Sequence, residues 1–366
     1  MNRRGASLLV VVLSLLVVAS GAGLLFSISW MGAHEGATTL WSTRVRLAAD
    51  AESERALIQW DPLLAETLPP GSAAALPVAP PASAVTTRDT LLRLGESLYL
   101  LHVVAEERSR TGGLLSRDGV ARVVPLLSPA IPDSQAILAL GPVTVGTSTT
   151  VSGSDQLPGG WDSDCPPATS PAAGLRAGPV MPVVLGCPDG TCVSGAPAVA
   201  RDSFLRSGTL DRLGTITTGE LVALADHLVS GVITAVGPVQ SGPRCDRDIP
   251  TNWGDPLGVG LACSRYFPVI AAAAGARVEG GAGQGILIGL GRLELAGDIE
   301  FRGVVLARGP VILRDRARIL GSLLATDSVG LEDAAFVARS RCAVDRARRG
   351  AGRPNRRATR GWIRWP

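Results

Sequence analysis

Hydrophobic and polar positions divide the chain into an apolar N-terminal run, an amphipathic continuation and a long region of short alternating segments. No residue is charged from Ala6 to Ala33, and the centre of this run, Leu8 to Val18, is apolar apart from one serine. A helix needs about 20 apolar residues to cross a bilayer, so the run predicts a transmembrane helix. Its predicted membrane-facing residues include Leu8, Val12, Leu16 and Leu25.

The helical pattern continues beyond the apolar run, with charged residues between the apolar ones. The apolar positions recur at intervals close to three or four residues and are Trp41, Val45, Ala48, Ala56 and Trp60. This spacing is typical of an amphipathic helix. We therefore predict one helix over 6–60, which ends at Asp61-Pro62 because a residue before proline avoids the helical region.

The charges that flank the apolar run predict its orientation. Arg3 and Arg4 precede the run, so the N-terminus should stay in the cytoplasm while the remainder crosses the membrane. A cleaved secretory signal is one alternative, with its apolar core at Leu8–Val18 and cleavage near Ser20 to Ala22. A helix that never enters a membrane is another. The apolar pattern continues past the small residues, which favours retention in the membrane.

The residues after the helix predict a linker and then a small β-meander. Proline and alanine are frequent over 61–86, which is typical of a linker. Leu91–Glu107 and Val120–Leu127 have strand-like patterns, and glycine-containing turns separate them. We expect an antiparallel meander over 87–134.

An 18-residue repeat marks the C-terminal half of the chain. Gly285, Gly303 and Gly321 are 18 residues apart, and the even positions after each glycine are apolar in register. One such column contains Leu293, Val311 and Val329. Gly297, Asp315 and Asp333 form another column, at a predicted corner where glycine and aspartate suit turn geometry. Three short strands in each 18-residue coil predict a triangular β-helix over 135–342.

The predicted solenoid contains an insertion at about 154–267, which carries five of the six cysteines. Six cysteines beyond a membrane helix favour disulfides. A Pro-Asp-Gly turn separates Cys187 from Cys192, and Cys245 and Cys263 flank another turn-rich loop, so these are the two predicted pairs. The remaining candidates are Cys165 and Cys342. No Cys-x-x-Cys motif occurs and the three histidines are scattered, so we predict no metal site and no cofactor.

Composition excludes several classes of protein. Hydrophobic residues make up 46% and charged residues 18%, which excludes a wholly disordered chain. All 35 basic residues are arginine, which excludes the P-loop lysine and every lysine-based mechanism. The acidic positions of the repeats are Asp298, Glu300, Asp315, Glu332 and Asp333. We interpret them as solvated faces and corners, and no catalytic residue is predicted.

The C-terminal segment, 343–366, is strongly basic. It carries eight arginines against Asp345, a net charge of +7, with Trp362 before the last arginine and Trp365 directly after it. Such a tail could bind an acidic protein face, anionic lipid or DNA phosphates. It could instead fold back over the open end of the solenoid, which needs a cover.

The N-terminal residues MNRRG-ASLLVVVLSLLVV resemble a class III (prepilin) signal, and Ala48–Leu57 resembles the end of the first helix of PilX-type minor pilins. The resemblance covers about the first 60 residues. It implies a leader over 1–5, cleavage by a prepilin peptidase after Gly5, and a mature protein that begins at Ala6. Val10 stands where most pilins carry glutamate, which argues for an accessory subunit rather than a major one.

The short coils are similar to those of bactofilins, which implies a right-handed solenoid. The expected fold is mainly β, with a long N-terminal helix, a small meander and a β-helix that carries a disulfide-rich insertion. The resemblances imply a non-enzymatic minor pilin-like or type IV pilus assembly protein, used in filament assembly or adhesion. It would cross the inner membrane once, with its C-terminal domain periplasmic, extracellular or in a pilus.

The expected partners are other pilin subunits, inner-membrane pilus assembly proteins and the membrane, with a surface ligand or DNA at the basic tail. Two other functions stay open at this stage. One is a surface-anchored or secreted β-helix enzyme that acts on carbohydrate, which would need paired carboxylates about 5–10 Å apart in a groove. The other is an unprocessed, membrane-anchored structural protein.

Overall fold

The computed structural model describes residues 3–77, 84–95, 97–161, 165, 167–168, 170–206, 208–259, 261–354 and 362–364. The chain forms two compact units. Unit 1 comprises Met1–Trp60, Leu68–Pro125 and Asn355–Pro366. Unit 2 comprises Asp61–Thr67 and Leu126–Pro354.

The helices and strands are numbered in chain order. The helices are α1 Arg3–Ile58, α2 Pro62–Thr67, α3 Thr218–Ala223 and α4 Arg341–Gly350. The first strands are β1 Ala73–Ala75, β2 Val85–Arg93, β3 Leu98–Arg108, β4 Leu114–Leu127, β5 Gln135–Ala139, β6 Val143–Val145, β7 Thr150–Ser152, β8 Ala173–Ala177 and β9 Val183–Leu185. The next are β10 Val193–Ser194, β11 Val199–Arg201, β12 Arg212–Leu213, β13 Ile216–Thr217, β14 His227–Val229, β15 Val232–Val236, β16 Gln240–Ser241, β17 Arg244–Cys245 and β18 Val269–Ala272. The last are β19 Ala276–Gly289, β20 Leu293–Ala296, β21 Glu300–Ala307, β22 Val311–Leu313, β23 Arg318–Ala325, β24 Val329–Leu331, β25 Phe336–Arg339, β26 Arg353–Pro354 and β27 Trp362–Arg364.

Unit 1 consists of α1 and an antiparallel sheet on which the C-terminal half of this helix packs. The strands lie in the order β1-β2-β3-β4, and β27 pairs with β4 at Val120–Arg122. Every second residue of β3 is buried, beginning at Tyr99, as expected for a strand with one face against a helix. The buried apolar residues of the helix include Val45, Ala49 and Leu57. The long helix and the small meander predicted from the sequence are therefore confirmed.

The segment predicted as a linker over 61–86 contains regular structure. It holds α2 and β1, and β1 pairs antiparallel with β2 through Ala73–Ala75. Six of its residues, 78–83, lie outside the described part of the chain. Proline does not prevent α2, because Pro62 is its first residue, where the helix has no use for a backbone N–H.

Unit 2 is a curled parallel sheet of 17 strands that winds in 18-residue coils. Each coil has one short strand, such as β22, and one long strand bent in its middle, such as β23. Leu293, Val311 and Val329 stand in register on three neighbouring coils, and all three are buried in the interior. The mainly β fold and the repeat register are confirmed. Its handedness stays an expectation.

Glycine is required where the long strands bend. Gly303 and Gly321 have φ of +142° and +148°, and they face each other on neighbouring coils. A Cβ on Gly321 would overlap the carbonyl oxygen of Gly303, and a Cβ on Gly303 would overlap that of Gly285. The 18-residue glycine spacing is therefore a consequence of close backbone contact between coils at one corner.

The coils do not stack in the order in which they occur along the chain. The coil of β5, β6 and β7 pairs on one side with β8, β9 and β10. On its other side it pairs with β23, β24 and β25, about 190 residues later in the chain. From β18 to β25 the coils run back toward the first one, so the last coil pairs with the first in the middle of the stack. The two ends of the stack are formed by β9–β11 and by β14 and β15.

The predicted insertion over about 154–267 therefore differs from the structure. Two parts of it belong to the parallel sheet, because β8 pairs with β5 and β15 pairs with β19. The part from about 202 to 225 returns along the outside, where Leu210, Ile216 and Leu221 join an apolar cluster with Ile286 and Leu306 of the coils. The copy of the repeat at Gly231–Val239 is recognisable in the sequence, but its coil is not spaced by 18 residues from its neighbour. Gln135 pairs with Ala173, 38 residues later, and Val232 pairs with Arg277, 45 residues later.

The C-terminal segment also differs from the predicted tail. Its first half forms most of α4. Val344 and Ala347 of this helix, with Ala351 directly after it, pack against Val304 and Leu324 on the outer face of the coils. This half therefore covers a side of the solenoid rather than its open end, while Trp362–Arg364 pair with β4 in unit 1. Residues 355–361 and 365–366, including Trp365, lie outside the described part of the chain.

Candidate anchoring helix

In the N-terminal half of α1, no other described part of unit 1 covers the apolar side chains. Val12, Leu16 and Leu25 are 55%, 62% and 66% exposed. The helix is long and apolar enough to cross a membrane, and none of its most apolar stretch is buried. The side chain of Leu8 lies outside the described part of the chain, although its backbone is helical. An exposed apolar surface of this size needs lipid or other helices around it.

Gly5 and Ala6, the predicted processing residues, lie in the first turns of α1. Their backbone is helical and their side chains are outside the described set. Cleavage after Gly5 stays a prediction.

The packed half of α1 meets the sheet through charged as well as apolar side chains. Arg55 forms an ion pair with Glu52 on the same helix and lies 3.8 Å from the carboxylate of Asp89 on β2. Asp89 is 2% exposed, and neither of its carboxylate oxygens has a hydrogen-bond partner among the described residues. A buried carboxylate without donors is costly in its charged form.

The ionisation of this cluster follows from its burial. Burial, together with the neighbouring Glu52 carboxylate, raises the pKa of Asp89 to about 7, and Arg55 offsets only part of this rise. The hydrogen bond from Arg55 instead lowers the pKa of Glu52. Near neutral pH this cluster therefore contains one charged carboxylate, Glu52, one arginine, Arg55, and one carboxyl group, Asp89, that is close to its titration point.

Two further ion pairs tie α1 to the sheet. Arg122 on β4 is 3% exposed and donates a hydrogen bond of 2.6 Å to Glu54. Glu107 on β3 is 5% exposed and lies 3.5 Å from Arg44. Each pair joins a buried group on the sheet to a more exposed partner on the helix.

Sequence reasoning missed Asp89, Glu107 and Arg122 as parts of this interface. A signal for two of them is present in the strands. Asp89 precedes Leu91 by two residues and Glu107 follows Ala105 by two, so both fall on the buried face of the alternating pattern. A charge at an inward strand position predicts a partner on the element that covers it.

The cysteines of unit 2 form three disulfides. Cys187 is joined to Cys192 and Cys245 to Cys263, which are the two pairs predicted from their loops. The remaining pair, Cys165 and Cys342, joins residues 177 apart and ties the start of α4 to the loop after β7. Among the described residues, no group of three or more His, Cys, Asp or Glu side chains could hold a metal ion.

The carboxylates considered for an enzyme lie on the outside of the coils. Arg316 donates hydrogen bonds of 2.7 and 3.0 Å to Asp298, and Arg302 donates one of 2.7 Å to Glu300. Asp315 and Asp333 stand at the corner with φ of +56° and +47°, as the turn chemistry of the repeat predicts. These residues act as partners of arginine or as corner residues of the coils.

Comparisons with known proteins add little. No protein-family model matches the chain, and no curated protein matches it. Among solved structures, the chain is similar to the competence-associated pilin ComZ from Thermus thermophilus. The identity is 10% and the TM-score 0.24, over 89% of this chain and 97% of that chain. A likeness with so low a TM-score shows no shared function.

Proposed function

We propose that this chain is a membrane-anchored, pilin-like component of a filament or of its assembly machinery, of the PilX-like minor type. In this proposal α1 holds the protein in the inner membrane, with its N-terminus in the cytoplasm. The same helix later packs among the helices of other pilin subunits. The solenoid is displayed outside the cytoplasm, for assembly or adhesion.

The construction of α1 is the observation that supports this proposal. One uninterrupted helix of 56 residues has an N-terminal half with exposed apolar side chains. Its C-terminal half packs on an antiparallel sheet. A soluble protein would bury the apolar half in its own core, and a plain anchor would not need to continue as a packed helix. A subunit that moves from a membrane into a helical filament core needs both halves in one rigid rod.

We also propose that the protein is not an enzyme. The engagement of Asp298 and Glu300 by arginines supports this, because their carboxylate oxygens already accept hydrogen bonds from Arg316 and Arg302. No observation favours the carbohydrate-active alternative.

The proposed processing is tested by the mature N-terminus. The full chain, expressed with and without a prepilin peptidase, is purified from membranes and its N-terminus is determined by mass spectrometry. We expect a mature protein that begins at Ala6 when the peptidase is present. Gly5→Leu should leave the precursor intact.

Gly21→Leu is the matched control, because Gly21 lies in the N-terminal half of α1 and a side chain there meets nothing. This variant should be processed like the natural chain. An N-terminus near Ala22 would instead establish ordinary secretion and contradict the proposal. An intact precursor despite an active peptidase would support a permanent anchor that never enters a filament.

A further inference from the structure

Unit 2 contains a cleft that no part of the proposed function uses. It has a volume of about 900 Å³ and lies between α2, α4 and the residues around Asp133 and Arg265. This volume is within the range of about 300–1,000 Å³ that is typical of ligand sites. All of its lining residues belong to unit 2.

Apolar side chains and a disulfide form part of the lining. Leu64, Ile131, Phe267 and Val344 line the cleft. Phe267 also packs in a cluster with Trp161, Cys342 and Ala343, and Cys342 is bonded to Cys165. The side of the cleft formed by the start of α4 is therefore covalently fixed before any ligand arrives, which lowers the entropic cost of binding.

Arginines outnumber acidic residues on the polar part of the cleft. The arginines are Arg265, Arg341, Arg346, Arg348 and Arg349, and the acidic residues are Asp61, Asp133 and Asp345. Asp345 lies 2.8 Å from Arg348 and 2.6 Å from Arg349. Arg341 lies 3.7 Å from Asp133, and Arg346 stacks over the ring of Trp161.

Arg265 is the arginine of the cleft that is best placed to bind an anionic group of a ligand. Its side chain is exposed at the cleft. Within the described ranges no ion pair is formed by it, in contrast to Arg341, Arg348 and Arg349. A guanidinium in this position can make two parallel hydrogen bonds to an incoming carboxylate.

We propose that this cleft binds an acidic, partly apolar peptide segment of another protein. Carboxylates of the segment would pair with Arg265 and the surrounding arginines, and its apolar side chains would contact Phe267 and Ile131. This contact lies in unit 2 and does not depend on the role proposed for α1.

The composition of the cleft favours a peptide over other anions. Asp61 and Asp133 lie on the same surface as the arginines, so a dense row of phosphates would meet repulsion beside each attractive contact. A membrane surface is disfavoured because the apolar side of α4, with Val344 and Ala347, is already buried against the coils. A peptide can place acidic residues opposite arginine and neutral residues opposite aspartate.

The test uses the full chain in non-ionic detergent and a fluorescein-labelled peptide in which glutamates alternate with leucines. Fluorescence anisotropy measures its binding at low and high salt. We expect saturable binding that weakens with salt, and a loss of affinity of about tenfold in Arg265→Glu. Asp61→Asn, which removes a repelling charge and keeps the shape, should increase affinity.

Arg308→Glu is the matched control, since Arg308 is an exposed arginine on the coils outside the cleft. It should bind the peptide as the natural chain does. A peptide with lysine in place of glutamate should not bind, and an oligothymidylate of equal length should compete poorly.

Three outcomes would overturn the proposal. The first is no binding of the acidic peptide, and the second is equal binding by Arg265→Glu and Arg308→Glu. The third is tighter binding of the oligothymidylate with the same dependence on Arg265, which would identify a phosphate-binding surface instead. Circular dichroism of each variant establishes that a lost interaction does not reflect a lost fold.

Discussion

The helix–sheet interface of unit 1 and the interior of the solenoid in unit 2 are built on opposite principles. Under α1, Asp89, Glu107 and Arg122 are buried together with apolar residues. In the solenoid, the inward columns are apolar from coil to coil, as in Leu293, Val311 and Val329. The interface under α1 contains several ionisable groups, whereas the described columns of the central coils contain none. In unit 2 a buried histidine occurs at the end strand β14, where His227 stands opposite Ile270 and contacts the hydroxyl of Tyr266.

This difference indicates how each unit can respond to its surroundings. Apolar columns gain stability from neighbouring coils and have no dependence on pH, so the solenoid should behave as a rigid body. A buried charge pair gives little net stability and is sensitive to its partner. The helix–sheet interface should therefore change with pH or mutation before the solenoid does.

The strongest test of this comparison introduces a charge into the apolar interior. Val311→Asp would place a carboxylate between Leu293 and Val329 with no donor on either neighbouring coil. We expect a loss of at least about 4 kcal/mol in the free energy of unfolding of unit 2. Thermal unfolding of the full chain, with limited proteolysis to locate the damage, measures it.

Thr144→Asp is the control for that variant. Thr144 lies on β6, which pairs with β24 in the same sheet, and its side chain is on the outward, exposed face. The variant should melt close to the natural protein. Arg314, the outward position suggested by the repeat, is a poorer control, since it forms an ion pair with Glu294. Equal melting of Val311→Asp and Thr144→Asp would show that the inward column is assigned wrongly.

A smaller loss is expected at the bend of the long strands. Gly321→Ala would force a Cβ onto the carbonyl of Gly303 at a φ of +148°. We expect a loss of about 3 kcal/mol, which calorimetry would detect as a lower melting temperature. Gly330→Ala should cost far less, because its nearest neighbour would be 3.8 Å away. Similar costs at both sites would contradict the close contact between coils.

In unit 1 the expected effect depends on pH. The pKa of Asp89 is raised from 3.8 to about 7, so the folded state holds a proton that the unfolded state has released. Stability should be highest at acidic pH and should decline as the pH rises toward about 7, by up to about 1.4 kcal/mol per pH unit. Above that pH the curve should be flat.

Asp89→Asn removes the titrating group and should abolish this slope, as measured by melting temperature against pH. Asp50→Asn, on the same helix as Glu52 but outside the buried cluster, should retain it. Between about pH 6 and pH 7 the carboxylate of Glu52 is charged in both states, so it does not obscure the result. The slope is read from the unfolding of unit 1, because burial lowers the pKa of His227 and gives unit 2 the opposite dependence on pH. Absence of the slope in unit 1 would show that Asp89 is charged when folded.

The smallest effect is expected at a surface ion pair of the coils. Asp298 and Arg316 have side chains that are each 71% exposed, so solvent screens their attraction. Asp298→Asn should leave the melting temperature unchanged. A clear drop would show that surface pairs contribute to the solenoid, and would weaken its contrast with unit 1.

Much of the fold was predictable because its signals are local or repeat at short intervals. The apolar run and its amphipathic continuation specify α1 through helical spacing alone. The period of 18 places Val311 inward and Asp315 at a corner because every coil repeats the same geometry. The pairing of Cys187 with Cys192 follows from a short turn between them.

The candidate sites were less predictable, because they depend on residues distant in the sequence. The cleft brings Asp61, Asp133, Arg265 and α4 together, and nothing in the spacing of these residues indicates their proximity. The pairing of Cys165 with Cys342 is of the same kind, since 177 residues separate them. The alternation of β2 marks Asp89 as an inward charge, but its neighbours Glu52 and Arg55 are identified only where α1 covers the strand.

The sequence by itself determined the long helix, the 18-residue register, the inward and outward sides of each strand and the glycine at each bend. These features follow from periodicity and from steric limits that act within a few residues. Only the tertiary structure decided that the last coil pairs with the first, and that α4 lies along a side of the solenoid. Coils of parallel strands offer the same hydrogen-bonding edge to any neighbour, so their order depends on which arrangement buries the most apolar surface overall.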